Sequence, residues 1–394
     1  MKTLLVFRGP PHHQQLLRPV EDELESRGWK IVRYTANTEA VFQAPLNVEL
    51  GTDGYLWLPD FDDPKKSEAA YERHWEWFRE LYEQKTPISL LPPQILDRVM
   101  HFTCEEFIST RRMIDQVQPT ACLALHEINR WGMMLAYWAS VRRVPVWTMQ
   151  EGMYYGHPWI YTGHTRYSRS LVWGEAARQK LLEAGSGEER VHVVGHPDLA
   201  RRYRQGTESK AQLKEELPAD VRDRPKLALV FVTNVAVRGA GEDLFTGWEE
   251  QEEWGMVVRC HQLSTLSHMQ TIEKVFRRKG IFFSPLSIPY EHHWRLMANA
   301  DLCLIVGCTT TALEWLYQRT KPLAQIGTLA MYQNFAEAGL AIEITGMPLL
   351  TGFKKTEAEW AATCQPNVEQ FVSAQIAEGE AFKRLADIIE GSAK

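Results

Sequence analysis

At 394 residues the chain exceeds one ordinary hydrophobic core, and about 150 residues per domain gives a prior of two domains. Its 44% hydrophobic and 24% charged residues are those of a globular protein, and a formal net charge of -6 argues against a general nucleic-acid binder while leaving room for a local basic pocket. No run approaches the ~18 apolar residues of a membrane helix. Met1-Lys2-Thr3 leads directly into a strand-like Leu4-Leu5-Val6-Phe7 without a signal-peptide core, and the six cysteines contain no CxxC pair. The expected address is a reducing cytoplasm, with no transmembrane segment and room only for peripheral membrane association.

Leu4–Phe7 reads as a buried strand. The turn Arg8-Gly9-Pro10-Pro11-His12-His13 leads into a helix that carries Leu16, Leu17, Val20 and Leu24 inward and stops near Gly28. Pro19 must kink this helix or stand in its first turn. Lys30–Tyr34 is the next strand, and the order strand, loop, helix, strand begins an open α/β sheet. Ligands bind such sheets beyond the C-terminal ends of the strands. Arg8, His12 and His13 are therefore candidates for a ligand edge, or else an exposed turn with two incidental histidines.

Tyr55–Leu58 is a further strand, followed by Asp60-Phe61-Asp62, which has the Asp-x-Asp spacing of a metal motif. Asp62-Asp63-Pro64 reads instead as a turn into a helix over Ser67–Gln84. That helix carries Tyr71, Trp75, Phe78 and Tyr82 at steps of three and four, a stripe expected in a core rather than a ligand box. A helix from Gln94 to Gln116 is closed by Pro119, and Ala121–Leu125 is a buried strand ending in His126-Glu127. After a helix over Trp131–Val141 comes the strand Val144–Thr148, then the loop Gln150-Glu151-Gly152-Met153-Tyr154-Tyr155-Gly156-His157-Pro158. Glu151 suits a general base, because partial burial raises a carboxylate's proton affinity. The alternative is a carboxylate that only accepts nearby backbone N–H groups, and the loop's position after a strand favours the base. Ser170–Trp173 is a strand, Glu175–Ala184 a helix, and Val191–Val194 a strand ending in Gly195-His196-Pro197. Residues 201–225 are charged, partly helical and without a long apolar run, which places the expected division between domains 1–205 and 206–394.

The second half alternates more plainly. Leu227–Val232 is a strand ending in Thr233-Asn234, and Met256–Val258 a strand ending in Arg259-Cys260-His261. Helices are expected over Thr265–Lys279 and Tyr290–Ala298, with a short strand at Ile281–Phe283 between them. Leu302–Val306 is a strand that turns at Gly307 into Cys308–Thr311 and a helix to Gln318, with Leu313, Leu316 and Tyr317 facing the sheet. A strand follows from Pro322, and Glu378–Ile389 is an amphipathic helix that would pack back on the first domain. Strands spaced by helices make a parallel, doubly wound sheet.

A parallel sheet sets all its strand C-termini on one edge, so Thr233-Asn234, Arg259 with His261, and Cys308–Thr311 should converge. A strand running into a helix through hydroxylated residues directs unpaired N–H and O–H donors at one spot and favours an anion. With an arginine and a histidine beside it, this edge suits a diphosphate, the phosphate seat of a nucleotide. Thr309 and Thr310 have a second reading as helix caps, and Thr311-Ala312-Leu313-Glu314 as a capping box. No metal is expected, because the adjacent pairs His12-His13 and His292-His293 do not easily face one site and no cluster has zinc spacing. No G-x-S-x-G elbow marks a hydrolase.

Several of these pieces resemble the GT-B glycosyltransferases of the bacterial surface and capsular polysaccharide branch. That branch includes capsule and polysialic acid synthases, CDP-glycerol glycerophosphotransferases and, more distantly, UDP-N-acetylglucosamine 2-epimerases. VVRCHQ (257–262) is similar to their strand end of basic residue, histidine and proline, with Gln262 in place of the proline. NADLCLIVGCTTTALEWLYQRTKPL (299–323) is similar to their segment of aspartate, strand, hydroxyl pair, helix and Lys-Pro, with Cys308-Thr309 near the usual serine pair. LVWGEAARQKLLEAGSGEERVHVVGHPDLA (171–200) is similar to the end of their first domain, and QEG (150–152) follows the strand Val144-Pro145-Val146 where they often have a loop of histidine or acid plus glycine. The similarity covers roughly the last 250 residues; residues 1–120 match only as a generic Rossmann half.

The resemblance implies an α/β protein of two Rossmann-like domains facing across a cleft. It implies a nucleotide-sugar donor, a glycan or lipid-linked glycan acceptor and inverting transfer, without metal or resident cofactor. Glu151 would deprotonate the acceptor. His261, Arg259, Thr233, Asn234, Cys308 and Thr309–Thr311 would hold the donor phosphates, and Glu314 would reach the ribose. Arg8, His12, His13, His126, Glu127 and His157 would line the acceptor side. Epimerisation of a nucleotide sugar, glycerophosphoryl transfer and non-catalytic binding are the alternatives on the same fold.

Overall fold

Fully buried parallel strands read as unbroken apolar runs, because helices cover both faces of the sheet. The central strands here follow that rule: Ala121–Leu125 and Leu302–Ile305 are at most 1% exposed. A computed structural model describes residues 1–8, 11–36, 55–84, 92–125, 127, 130–232, 242–260, 266–284, 290–307, 310–327 and 333–392.

Among the described residues, the first sheet has strands β1 (Thr3–Phe7), β2 (Lys30–Thr35), β3 (Tyr55–Trp57), β4 (Ala121–Leu125), β5 (Val146–Met149), β6 (Arg169–Val172) and β7 (Val191–Val193). Their order is β3-β2-β1-β4-β5-β6-β7, all parallel. The helices of this half are α1 (Pro11–Ser26), α2 (Pro64–Glu83), α3 (Pro93–Val117), α4 (Arg130–Val141) and α5 (Glu175–Glu183). Three short helices connect the halves: α6 (Leu199–Glu208), α7 (Lys210–Glu216) and α8 (Ala219–Arg222).

The second sheet has β8 (Lys226–Val232), β9 (Trp254–Cys260), β10 (Ile281–Phe283), β11 (Leu302–Val306), β12 (Leu323–Ile326) and β13 (Ile342–Glu343). Their order is β10-β9-β8-β11-β12-β13, again all parallel. Its helices are α9 (Leu266–Phe276), α10 (Tyr290–Asn299), α11 (Thr310–Leu316), α12 (Leu349–Thr363), α13 (Gln365–Gln375) and α14 (Ala381–Ser392). Both sheets reverse direction of growth beside their first strand, between β1 and β4 and between β8 and β11, which is where a doubly wound sheet opens a crevice.

The C-terminal helix does return to the first half. Arg27 pairs with Asp387 at 2.6 Å and Glu390 at 3.3 Å, and Trp147 Nε1 donates to Ser392 Oγ at 3.1 Å. Just before it, the Ala377 N–H donates to Trp173 O at 2.7 Å. Gly174 is needed at this crossing: a Cβ there would lie 2.3 Å from the carbonyl carbon of Gln375. The expected division between residues 205 and 206 falls inside α6, which packs on α10.

One alternative is settled and three local readings change. Pro19 stands inside α1 rather than in its first turn. The α2 aromatics are not core: Tyr71, Trp75 and Phe78 are only half-buried and Trp77 is 55% exposed. They lie along the α2–α3 pair, where Tyr71 stacks on His101 at 3.6 Å and donates to Asp97 at 2.5 Å. Helix α11 stops at Leu316, before the expected Gln318. β13, α12 and α13 were not anticipated. Among the described residues no helix is long and apolar enough to cross a membrane.

Candidate functional site

Register decides which strand ends meet. Val232 at the end of β8 pairs with Cys260 on one side and Val306 on the other. The ends of β9, β8 and β11 therefore form one row, carrying Arg259, the start of the segment after Val232, and Gly307. Thr233, Asn234, His261, Cys308 and Thr309 lie outside the described residues, as does His126 of the first half. His12 and His13 begin α1, but their side chains are also outside the description.

Thr310 and Thr311 are the first two residues of α11. A capping box places its hydroxyl residue at the helix entry, and Thr311 stands second in α11. Thr310 does something else. Its Oγ1 accepts the N–H of Met153 at 3.1 Å, joining the start of α11 to the loop after β5 in the other half. The approach is close enough that a Cβ on Gly152 would sit 2.8 Å from the same oxygen.

The β5 loop is held from beneath by Gln150, which is fully buried. Its Oε1 accepts the N–H of Trp173 at 2.7 Å, and its Nε2 donates to Gly152 O at 2.8 Å. Half-buried Glu151 is thus pinned between a fixed glutamine and a glycine pressed on Thr310. The structure brings together the two features that sequence placed in opposite halves, the Glu151 loop and the Thr310 turn.

Glu314 follows Thr310 by one helical turn on the same face. Its Oε2 lies 3.8 Å from Nε2 of His293, and the two side chains are 14% and 11% exposed. The His293 ring packs against Phe231 at 5.4 Å and Trp294 at 5.1 Å between centroids. Burial drives His293 toward its neutral form; Glu314 opposes this and the Arg259 charge adds to it. Arg259 is itself 9% exposed.

Sequence reasoning weighed His293 only as half of a metal pair and missed this contact. The two histidines in fact face different carboxylates: His292 Nδ1 is 2.5 Å from Glu216 Oε2, which Arg295 shares. A signal was available. In a doubly wound sheet each helix starts at the C-terminal edge of the preceding strand, so the first turn of α10 begins at the ligand edge.

Other candidates have structural partners. Arg8 is buried, with its guanidinium paired to buried Glu21, whose carboxylate also receives Arg33 Nε at 2.7 Å. Glu127 is 1% exposed and accepts from Tyr167 N at 2.7 Å, Ser168 N at 2.9 Å and Ser168 Oγ at 2.5 Å. Burial pushes its carboxyl up against these bonds. His157 is exposed ahead of the single-turn helix Pro158–Tyr161. Asp62 accepts from Ser67 Oγ at 2.5 Å at the head of α2, the turn role expected for it.

His196 was named only as a strand end. It is buried, and its Nδ1 accepts the N–H groups of Asp198 at 3.2 Å and Leu199 at 3.0 Å, the first donors of α6. Burial holds it well below the usual histidine range, with Arg202 nearby adding to the effect.

No family model and no curated protein matches the chain. Solved structures do. UDP-GlcNAc 2-epimerase from Methanocaldococcus jannaschii aligns with a TM-score of 0.61 and 13% identity over 99% of this chain and all of that one. The UDP-GlcNAc 2-epimerase from Neisseria meningitidis, bound to UDP-GlcNAc, gives 0.59 and 13% over 100% and 99%. A glycosyltransferase from Rickettsia africae ESF-5 gives 0.55 and 11% over 100% and 99%. At these identities the likeness shows the fold, which is the GT-B arrangement of two parallel-sheet halves.

Proposed function

We propose that the chain is an enzyme acting on a nucleotide-activated sugar, and that it transfers the sugar to a glycan or lipid-linked glycan acceptor. The observation that supports this reading is the Met153–Thr310 contact, which sets the Glu151 loop of one half against the start of α11 in the other. A carboxylate at the rim of one sheet and an anion seat at the rim of the other are what a group transfer between two bound substrates requires.

In this reading the diphosphate rests on the β9–β8–β11 edge, against Arg259, His261 and the hydroxyls at 309–311. Glu151 takes the proton of an acceptor hydroxyl as its oxygen bonds to the anomeric carbon. The bond from that carbon to the phosphate oxygen breaks, and the nucleoside diphosphate leaves with the electron pair. Arg259, His261 and the hydroxyls meet its charge. No metal or resident cofactor is assigned.

Replacing Glu151 by Gln is expected to lower turnover by about 10²–10⁴ while the nucleotide still binds. A near-normal rate would exclude Glu151 as the base. Thermal-shift screening with CMP, CDP, UDP and GDP selects the nucleotide, since a ligand stabilises by RT ln(1 + [L]/Kd).

A second reading is favoured by the fold likeness to proteins named UDP-GlcNAc 2-epimerases. On the same site, Glu151 would then exchange a proton with the sugar itself. Incubation with UDP-GlcNAc and no acceptor separates the two: conversion to the 2-epimer supports epimerisation, and an unchanged donor supports transfer.

A further inference from the structure

We propose that Tyr161 is a positioning residue for Glu151, fixing the far end of the loop after β5 through the backbone of Tyr155 and the ring of Tyr154. The inference rests on the reading of Glu151 as the base and adds a residue that acts only through it.

The loop is anchored at both ends by its own half. Gln150 holds the near end, where β5 stops. Tyr161 holds the far end. Its phenol oxygen accepts the Tyr155 N–H at 2.7 Å and donates to the Tyr155 carbonyl at 2.8 Å. A phenol can do both because it carries one donor and acceptor lone pairs. Two bonds from one ring hold a residue against pivoting, which a single bond does not. Lys180 Nζ donates to the next carbonyl, that of Gly156, at 2.9 Å. Glu151 thus stands between fixed points at Gln150 and Tyr155.

Tyr161 is itself held. It is 8% exposed, and its carbonyl accepts the His164 N–H at 3.2 Å and faces His164 Nδ1 at 2.9 Å. Its ring lies 4.5 Å from that of Tyr154, with 28° between the planes, and 5.3 Å from that of His164.

The Tyr154 ring is a second route to Glu151. Burial pushes the Tyr154 phenol up; the Tyr161 phenol and the Glu151 charge add to this, and a hydrogen bond with Ser170 opposes it. The Glu151 carboxylate therefore lies within electrostatic reach of the ring on which Tyr161 stacks.

Tyr155 is only half-buried, so water can serve its N–H and carbonyl in place of the phenol. The two bonds accordingly contribute less to stability than to where the loop stands. A general base must lie within hydrogen-bond reach of the proton it takes, and a displacement of about 1 Å costs on the order of 10²-fold. Tyr161→Phe keeps the ring against Tyr154 and removes both bonds, which changes position without emptying the core.

The test is a double-mutant cycle of Tyr161→Phe with Glu151→Gln, read as turnover of UDP-GlcNAc, UDP-glucose and GDP-mannose. Two products are followed: the 2-epimer of UDP-GlcNAc, and the nucleoside diphosphate released with water in place of the acceptor hydroxyl. Alone, Tyr161→Phe should lower kcat about 10²-fold with the donor KM nearly unchanged. On the Glu151→Gln background it should change the rate by less than about threefold, because its effect passes through the carboxylate. Hydrogen exchange at the 151–156 amides should be about tenfold faster in Tyr161→Phe, with exchange in Ala121–Leu125 unchanged.

A near-normal kcat in Tyr161→Phe, an equal loss on both backgrounds, or unchanged exchange at 151–156 would overturn the role of Tyr161 and leave the reading of Glu151 intact. A near-normal rate in Glu151→Gln, or turnover of none of these donors by the wild type, would overturn both.

Discussion

Two glutamates illustrate how position along a strand edge separates structural from chemical roles. Glu127 and Glu151 both follow strands of the first sheet. Glu127 is buried and occupied by two backbone N–H groups and a hydroxyl of Tyr167–Ser168. Glu127→Ala strands those donors, and an unpaired buried donor costs about 1–3 kcal/mol. The variant should lose stability of that order in urea unfolding. Gln150 is the complementary case, since its side chain sets the Glu151 loop rather than touching a ligand. Gln150→Met keeps the shape but removes both bonds, to Trp173 N and Gly152 O. Turnover should fall on the order of 10²-fold, the effect of a displaced reacting group, while nucleotide affinity stays near wild type. Equal losses in both would place Gln150 in nucleotide binding instead.

Among the elements, the α6–α10 crossing ties the connection between the halves to the second half. A Cβ at Gly206 would lie 2.3 Å from Trp294 O and 3.0 Å from Ala298 Cβ. Asn299 Nδ2 donates to Gly206 O at 2.9 Å across the same contact. Gly206→Ala must separate two helices and should cost about 1–3 kcal/mol, as overpacking does. Gly391→Ala, with nothing within 4 Å, should be neutral or slightly stabilising in the same melts. Equal melting points for the two would mean the crossing is slack. The crossing was not legible in sequence, because Gly206 sits in a charged stretch that reads as a boundary. The strands were legible, since β4 and β11 are apolar without interruption. Two-residue β13 is too short for any periodicity, whereas α12 carried an inward stripe of Leu349, Phe353, Thr356 and Trp360 that could have been read. At the site, convergence of strand ends followed from parallel topology alone. Which polar groups were already engaged did not, because Glu127 meets Tyr167 forty residues on and Arg8 meets Glu21 through the first helix.

For the whole molecule, the buried histidines set a dependence on pH that precedes acid unfolding of carboxylates. His196, His292 and His293 are 8%, 1% and 9% exposed, and burial lowers the proton affinity of each. All three therefore favour the neutral form when folded, while the unfolded chain takes up their protons near pH 6.5. The unfolded state binds more protons below that value, so the stability is full above it and is lost as pH falls toward the folded values. Each histidine can contribute up to about 1.4 kcal/mol per pH unit in that window. Glu216, held below the usual carboxylate range by His292 and Arg295, contributes in the same sense only lower, as pH drops through the carboxylate region. Urea unfolding at pH 7.5, 6.5 and 5.5 should show little change over the first interval and a marked fall over the second. His196→Asn retains an acceptor for the two α6 amides and should flatten the second interval by about one proton's slope. Stability that is level from pH 7.5 to 5.5 would mean these rings accept protons in the folded state, with Glu216 and Glu314 compensating the burial of His292 and His293.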